Sequence, residues 1–142
     1  MAKSFKVNIL TPERTAFEAE AESVILPGSE GYLGIWANHA PLVTGLQPGV
    51  VALKEAGTGK TRYLSVSGGF VEVSDNVVNI MSDSCEAAGE IDRDRAKAAL
   101  ERATERLRST SSESDRERAR FALERAQARL RAIYLREGHK EL

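Results

Sequence analysis

The sequence predicts an α+β chain in two parts, an N-terminal all-β sandwich followed by a C-terminal antiparallel two-helix hairpin. Short apolar or alternating segments recur up to about residue 84, with Gly, Pro and Asn turns between them, which is typical of a sandwich or barrel. After Gly89 the composition changes to Ala, Arg, Glu and Leu, the strong helix formers. We therefore place the sandwich at residues 1–86 and the hairpin at residues 87–142.

The two parts also differ in charge. Residues 1–90 carry 6 Lys or Arg against 11 Asp or Glu, whereas residues 91–142 carry 14 Lys or Arg against 10 Asp or Glu. The net charges are therefore −5 and +4. An asymmetry of this kind indicates that the two parts have different partners.

The strands are short and are separated by turn residues. Residues 5–10 and 15–21 alternate apolar and polar side chains, the period of a half-buried strand. Glycine and proline predict breaks at Pro27-Gly28, Pro48-Gly49 and Gly68-Gly69. The further predicted strands are 23–26, 50–54, 62–66, 69–73 and 77–81.

The helices are predicted from two runs without Gly or Pro, residues 92–108 and 115–136. Asp92 is the expected N-cap of the first helix, and Ser114 or Asp115 that of the second. Gly138 should end the second helix. Both apolar stripes consist mostly of alanine, which buries little area, so the hairpin should be marginally stable alone and able to move.

The densest cluster of turn residues is the loop from Pro27 to Pro41, in which Gly28, Gly31 and Gly34 are three residues apart. It also holds four large apolar residues, Tyr32, Leu33, Ile35 and Trp36. One interpretation is a corner that packs its own side chains under a sheet. The other is an exposed, rigid loop that docks onto a partner, since interface cores use such residues.

Several functions are excluded or disfavoured by composition and motifs. The chain is 42% hydrophobic and 29% charged, as an ordinary globular protein is, and it has no secretory signal and no apolar run that could span a membrane. Cys85 is the only cysteine, so neither an intrachain disulfide nor a cysteine metal site is expected. The segment 57–61 lacks the first glycine of a phosphate-binding loop, and 65–69 is not a nucleophile elbow.

No catalytic set of residues stands out, so we expect a protein that is not an enzyme. Nucleic acid is not an expected partner either. The arginines of the hairpin alternate with Asp and Glu and lack interleaved aromatic residues. A solvated, ion-paired helix face explains most of these arginines.

Four segments together resemble the epsilon subunit of bacterial F-type ATP synthase. They are Gly28–Ile35, His39–Leu42, Leu46–Gly49 and Tyr63–Val73. The resemblance covers essentially the whole chain, including the order of sandwich and hairpin. One departure is Ala37-Asn38, where many members have Pro-Gly.

The resemblance implies a non-catalytic rotor subunit of the central stalk in a proton-translocating ATP synthase. The sandwich would lie against the gamma subunit and the c-ring, at the cytoplasmic face of the bacterial plasma membrane. His39 would lie near gamma, and the hairpin, when extended, would contact the catalytic alpha and beta subunits and inhibit ATP hydrolysis. The residues implied to contact the c-ring are Ser29, Glu30, Gly31, Tyr32 and Leu33.

A second motif lies in the hairpin, where Ile91-Asp92-Arg93-Asp94-Arg95-Ala96 resembles the Ile/Leu-Asp-x-x-Arg-Ala motif of epsilon subunits that bind ATP without hydrolysing it. The implied ligand is regulatory ATP, which Mg²⁺ could accompany, bound when the hairpin is folded down. The alternative is that the arginines pair with Glu101, Glu105 and Glu124, and a free-standing nucleotide-sensing adaptor is the alternative function. The implied ATP-binding residues are Glu86, Ile91, Asp92, Arg95, Ala96, Arg102, Arg125 and Arg129.

Overall fold

The strands precede the helices along the chain, as the sequence predicts. The computed structural model describes residues 3–139, and the predicted fold class is confirmed within them. The strands are β1 (Phe5–Thr11), β2 (Arg14–Gly28), β3 (Gly31–Trp36), β4 (Leu42–Glu55), β5 (Thr61–Ser74), β6 (Val77–Met81) and β7 (Cys85–Ala87). A 3₁₀ turn (Ala88–Glu90) leads to α1 (Arg93–Ser109) and α2 (Glu113–Arg136).

The sheet curls back on itself around one apolar core. Its strand order is β1-β6-β5-β4-β2-β3, with β7 on β5 and an additional β1–β2 pairing that closes the curl. The pairs are antiparallel apart from β1–β6, which is parallel. The alternating inward residues of the strands, Val7 and Ile9 on β1 and Val24 and Leu26 on β2, are completely buried.

Two strands continue where breaks were predicted, β4 through Pro48-Gly49 and β5 through Gly68-Gly69, so those two predictions were wrong. The break predicted at Pro27-Gly28 is confirmed, because β2 ends at Gly28. In β5 both Gly68 (φ 103°) and Gly69 (φ 118°) have positive φ. A Cβ on Gly69 would lie 1.9 Å from the carbonyl oxygen of Met81, so the close approach of these strands requires glycine.

Three serines fix the start of β7 on β5. The backbone N–H of Ser67 donates to Ser82 Oγ (3.1 Å), and the N–H of Ser84 donates to Ser67 Oγ (3.0 Å). Ser82 Oγ in turn donates to the carbonyl of Ser84 (2.9 Å). These bonds satisfy polar groups at a largely buried corner, and they hold in register the short strand that carries Glu86.

The helix ends follow local capping chemistry. Asp92 caps α1 as predicted, its side chain accepting from the N–H of Arg95. Ser112, not Ser114 or Asp115, caps α2 by accepting from the N–H of Asp115. Because the helix starts earlier, Glu113 and Asp115 lie in its first turn, where their negative charges interact favourably with the helix dipole. Gly138 follows α2 with φ 90°, the expected left-handed terminator.

The hairpin is folded down, with α2 lying on β4 and β5. A small second cluster joins them, in which Val50 and Ala88 of the strand side contact Ala132 of α2. Half-buried Tyr63, Ile91 and Leu135 pack around it. Among the described residues of α1, only Ala96 and Ala103 are buried. The predicted alanine seam between the helices is therefore present.

Candidate functional site

A cavity of about 340 Å³ lies where β7, the linker after it and both helices meet. It brings together seven of the eight residues predicted to bind nucleotide. Those seven are Glu86, Ile91, Asp92, Arg95, Ala96, Arg102 and Arg129. The eighth, Arg125, does not line this cavity.

Each structural element contributes a different chemical group. The strand β7 supplies the carboxylate of Glu86, and the linker supplies Ile91 beside the helix cap Asp92. Helix α1 presents Arg95 and Arg102, seven residues apart and hence on one face. Helix α2 presents Arg129 from the opposite wall. The small, buried Ala96 lines the same cavity.

The charges of the cavity are only partly paired. Arg129 Nε donates to Glu86 Oε1 at 2.6 Å, with both side chains about one third exposed. Arg95 and Arg102 are exposed, and neither forms an ion pair within residues 3–139. The alternative pairing of these arginines with Glu101, Glu105 or Glu124 is absent from the described residues. Two guanidinium groups are therefore available to an anion.

Arg125 lies one helical turn further along α2, in a neighbouring open cavity of about 700 Å³. Its guanidinium carbon is 5.1 Å from the centroid of the Phe121 ring, a cation–π contact. Arg106 on α1 lines the same neighbouring cavity, one turn from Arg102. Residues one turn apart share a helix face, so the two cavities lie on the same faces of α1 and α2.

Sequence reasoning missed three residues that line the nucleotide-type cavity, Glu90, Ala98 and Ala99. Helical spacing could have identified Ala99, which is four residues after Arg95 and three before Arg102. Its methyl group adds to the apolar wall formed by Ile91 and Ala96. The cavity thus combines an apolar wall with arginines, which suits a ligand that has a flat apolar part and several negative charges.

Neither metal-binding clusters nor reactive thiols are found. No group of three or more His, Cys, Asp or Glu in residues 3–139 has the arrangement of a metal site. Burial raises the pKa of the Cys85 thiol to about 12, so the thiol is protonated at neutral pH and is a poor nucleophile.

The turn between β2 and β3 presents a small exposed surface. Ser29, Glu30 and Gly31 are exposed, while the N–H of Ser29 donates to the carbonyl of Gly45 at 2.9 Å. The amide of Gln47 donates to the carbonyl of Gly28 at 2.8 Å. These bonds hold the turn against β4, so it is a rigid projection.

The apolar residues that follow are divided between the core and the surface: Ile35 is buried, whereas Trp36 is 60% exposed. Leu33 packs against the main core. Tyr32 is half exposed, but its hydroxyl accepts from the N–H of Val50 (3.2 Å) and its ring lies 5.8 Å from the guanidinium of Arg131 on α2. His39 is half-buried and its Nδ1 lies 2.7 Å from its neighbour's carbonyl, that of Ala40. Some residues of the loop thus pack as a buried corner, whereas others form an exposed, rigid surface.

Two family models match consecutive parts of the chain. The beta-sandwich domain of the ATP synthase delta/epsilon chain matches residues 4–88. The long alpha-helix domain of the same chain matches residues 90–133. The chain belongs to the ATP synthase delta/epsilon family. The resemblance to bacterial epsilon subunits is thereby confirmed, as is the prediction of a non-catalytic subunit.

Individual relatives agree with this assignment. The chain is 44% identical over 113 residues to the ATP synthase epsilon chain of Desulforamulus reducens, covering 80% of this chain and 84% of the relative. It is 48% identical over 105 residues to that of Moorella thermoacetica, covering 74% and 78%. No helix within residues 3–139 is both long and apolar enough to cross a membrane.

Solved structures show the same fold. A chain in the Euglena gracilis mitochondrial ATP synthase (OSCP, F1 and c-ring) matches with a TM-score of 0.78 and 26% identity, covering 98% of this chain and 83% of the other. A chain from the Tetrahymena thermophila mitochondrial enzyme, in a structure of its central stalk and c-ring, matches with a TM-score of 0.63. At 16% identity over 92% of this chain and 97% of the other, the second match supports the fold alone.

Proposed function

We propose that this chain is a central-stalk subunit of a proton-translocating F-type ATP synthase, whose hairpin binds ATP when folded down and inhibits ATP hydrolysis when extended. The observation that carries the nucleotide part is the convergence of Arg95, Arg102 and Arg129 on one cavity beside the surface where the hairpin docks. The family assignment and the likeness to chains of ATP synthase structures support the stalk part.

Ligand binding at this cavity would stabilise the folded-down hairpin. The cavity is built from β7, the linker and both helices, so a ligand that fills it contacts every part that must stay together. Binding to one state alone stabilises that state by about 2.7 kcal/mol at a hundredfold excess of ligand over Kd. The docking cluster of Val50, Ala88 and Ala132 is small, so a contribution of that size can decide which state is populated.

The phosphates of ATP fit the arginines, and the purine fits the apolar wall. A triphosphate carries several negative charges, and each guanidinium offers a planar fork of donors. ADP has one phosphate fewer and should bind more weakly. Mg²⁺, where it accompanies ATP, would be held by the phosphates, because the described residues offer no acidic cluster for it.

Calorimetry on the isolated protein tests the nucleotide part. We expect saturable ATP binding, weaker ADP binding, and a loss of roughly tenfold in ATP affinity in Arg102→Ala. Arg108→Ala is the matched control, since Arg108 is on the same helix but outside both cavities. No saturable binding at millimolar ATP, or equal losses in both variants, would refute a nucleotide site here.

The sandwich would join the gamma subunit to the c-ring. The exposed turn of Ser29, Glu30 and Gly31 is a rigid projection suited to the c-ring contact, and His39 would lie near gamma. The chain would then lie peripherally at the cytoplasmic face of the bacterial plasma membrane. Co-purification tests the proposal: the tagged chain should recover a gamma subunit in stoichiometric amount, and its recovery without one would favour a free-standing adaptor instead.

A further inference from the structure

One ion pair joins the sandwich to the hairpin. Between described residues there are four ion pairs, of which Lys54–Glu22 and Arg62–Glu55 lie among the strands. Arg93–Glu137 connects the two ends of the hairpin. Only Glu86–Arg129 spans from a strand, β7, to a helix, α2.

The geometry of this pair leaves part of the guanidinium free. Glu86 accepts from Nε of Arg129 at 2.6 Å. The terminal nitrogens Nη1 and Nη2 of Arg129 make no hydrogen bond with any residue from 3 to 139. They belong to a side chain that lines the cavity, and they are the fork that binds phosphate oxygens in a bidentate manner.

We propose that Glu86 is a positioning residue for nucleotide binding, which fixes Arg129 through Nε so that the terminal nitrogens are presented to the ligand. The inference rests on the nucleotide site proposed above and assigns a role to a residue of that site. An arginine side chain loses considerable rotamer freedom when it binds a ligand. Because a carboxylate already holds Nε, part of this rotamer freedom is lost before the ligand binds, and binding costs less conformational entropy.

The same arrangement links ligand occupancy to docking. Phosphate on the terminal nitrogens and Glu86 on Nε would hold Arg129 between the ligand and β7. Since Arg95 and Arg102 both belong to α1, they can hold α1 to the ligand but not to the sandwich. Glu86 therefore extends the effect of ATP from the hairpin to the sandwich.

Two features distinguish positioning from a simple charge effect. Glu86→Gln keeps an oxygen that accepts from Nε but removes the negative charge, whereas Glu86→Ala removes both. Glu90 lines the same cavity and has no ion pair among the described residues. Glu90→Ala thus removes an equal charge without releasing Arg129, and it should tighten ATP binding by roughly twofold because a like charge is lost.

The test is a double-mutant cycle read by calorimetric ATP affinity. We expect Glu86→Ala to weaken ATP binding roughly tenfold and Glu86→Gln to bind at least as tightly as the parent chain. In an Arg129→Ala background, Glu86→Ala should weaken the affinity no further. The ratio of ATP to ADP affinity should fall in Glu86→Ala, which a loss of fold stability alone would not produce.

The outcomes separate this inference from the proposed function. If the parent chain does not bind ATP, both are overturned. If the parent chain binds ATP but Glu86→Ala binds equally or more tightly, the positioning role alone is overturned. Additive losses in Glu86→Ala and Arg129→Ala would also overturn it, since they would show that Glu86 acts independently of Arg129.

Discussion

The hydroxyl of Tyr32 accepts a hydrogen bond from the backbone N–H of Val50 at 3.2 Å. Val50 is 2% exposed and belongs to the cluster on which α2 rests. A side chain of the glycine-rich loop therefore satisfies a buried backbone donor of the docking surface. This places Tyr32 at the boundary between the sandwich and the hairpin.

Tyr32→Phe should lower the free energy of unfolding by about 1 kcal/mol, because it leaves the N–H of Val50 without its partner. Tyr63→Phe is the matched control, since Tyr63 packs on the same cluster and its hydroxyl has no hydrogen bond among residues 3–139. Urea denaturation followed by the fluorescence of Trp36, the single tryptophan, measures both. Equal losses in the two variants would contradict this role of the hydroxyl.

The two ends of the β2–β3 turn should respond differently to charge. Leu33→Asp places a carboxylate against the main core, so we expect a loss of several kcal/mol in stability or failure to fold. Glu30→Lys lies on the exposed turn and should leave the melting temperature unchanged while weakening assembly with the c-ring. Normal assembly of Glu30→Lys would show that the turn is not the contact.

A chain ending at Gly89 should fold without the hairpin. The main cluster draws its members from residues 5 to 87, and β7 remains on β5. We expect a cooperative unfolding transition, and we expect the synthase containing this truncated chain to hydrolyse ATP faster than the one with the full chain. Slower hydrolysis would contradict an inhibitory hairpin, and an unfolded fragment would contradict an independent sandwich.

Arg125 remains a predicted ATP ligand, although it rests on Phe121 in this structure. Turning Arg125 toward Arg129, one turn away, would cost the cation–π contact, which at an exposed ring is about 0.5–1 kcal/mol. Phe121→Leu should therefore raise ATP affinity roughly twofold to fivefold by removing that cost. The same substitution in an Arg125→Ala background should have no effect, and an equal gain there would exclude the mechanism.

Alkaline pH should destabilise the fold partly through Cys85. Burial raises the pKa of its thiol to about 12, whereas an unfolded thiol titrates near 8.5. Above that pH the unfolded chain has lost a proton that the native chain keeps, so stability falls as pH rises. Between pH 9 and 10.5, the free energy of unfolding of the parent chain should fall more steeply than that of Cys85→Ala, by about 1 kcal/mol per pH unit. Identical slopes would contradict a buried, protonated thiol.

Regular repeats made much of this architecture predictable. Alternation predicted β1, and the absence of Gly and Pro predicted both helices, because these signals are local. The strands β2, β4 and β5 were predicted too short. Glycine and proline can bend a strand as well as end it, and the sequence does not distinguish these two roles. Gly69 looks like a strand end in the sequence, yet its role is set by Met81 on another strand.

The candidate site was predictable in its residue types but not in its pairing. Helical spacing grouped Arg95 with Arg102, and the motif located Ile91 and Asp92. Which acid meets which arginine depends on how α2 packs on the sandwich, a relationship of residues 43 positions apart. Sequence spacing carries no information on that distance, so the Glu86–Arg129 pair and the contact of Arg125 with Phe121 emerged only in three dimensions.

The alanine seam has a consequence for the hairpin when it leaves the sandwich. If the proposed opening separates the two helices, it would expose the methyl groups of Ala96, Ala103, Ala119 and Ala126, which are dispersed among arginines and glutamates. Extended apolar patches promote aggregation, and leucines in their place would create such a patch each time the arm moved. The small apolar area of this seam would thus let the proposed arm open and close repeatedly in water with little tendency to aggregate.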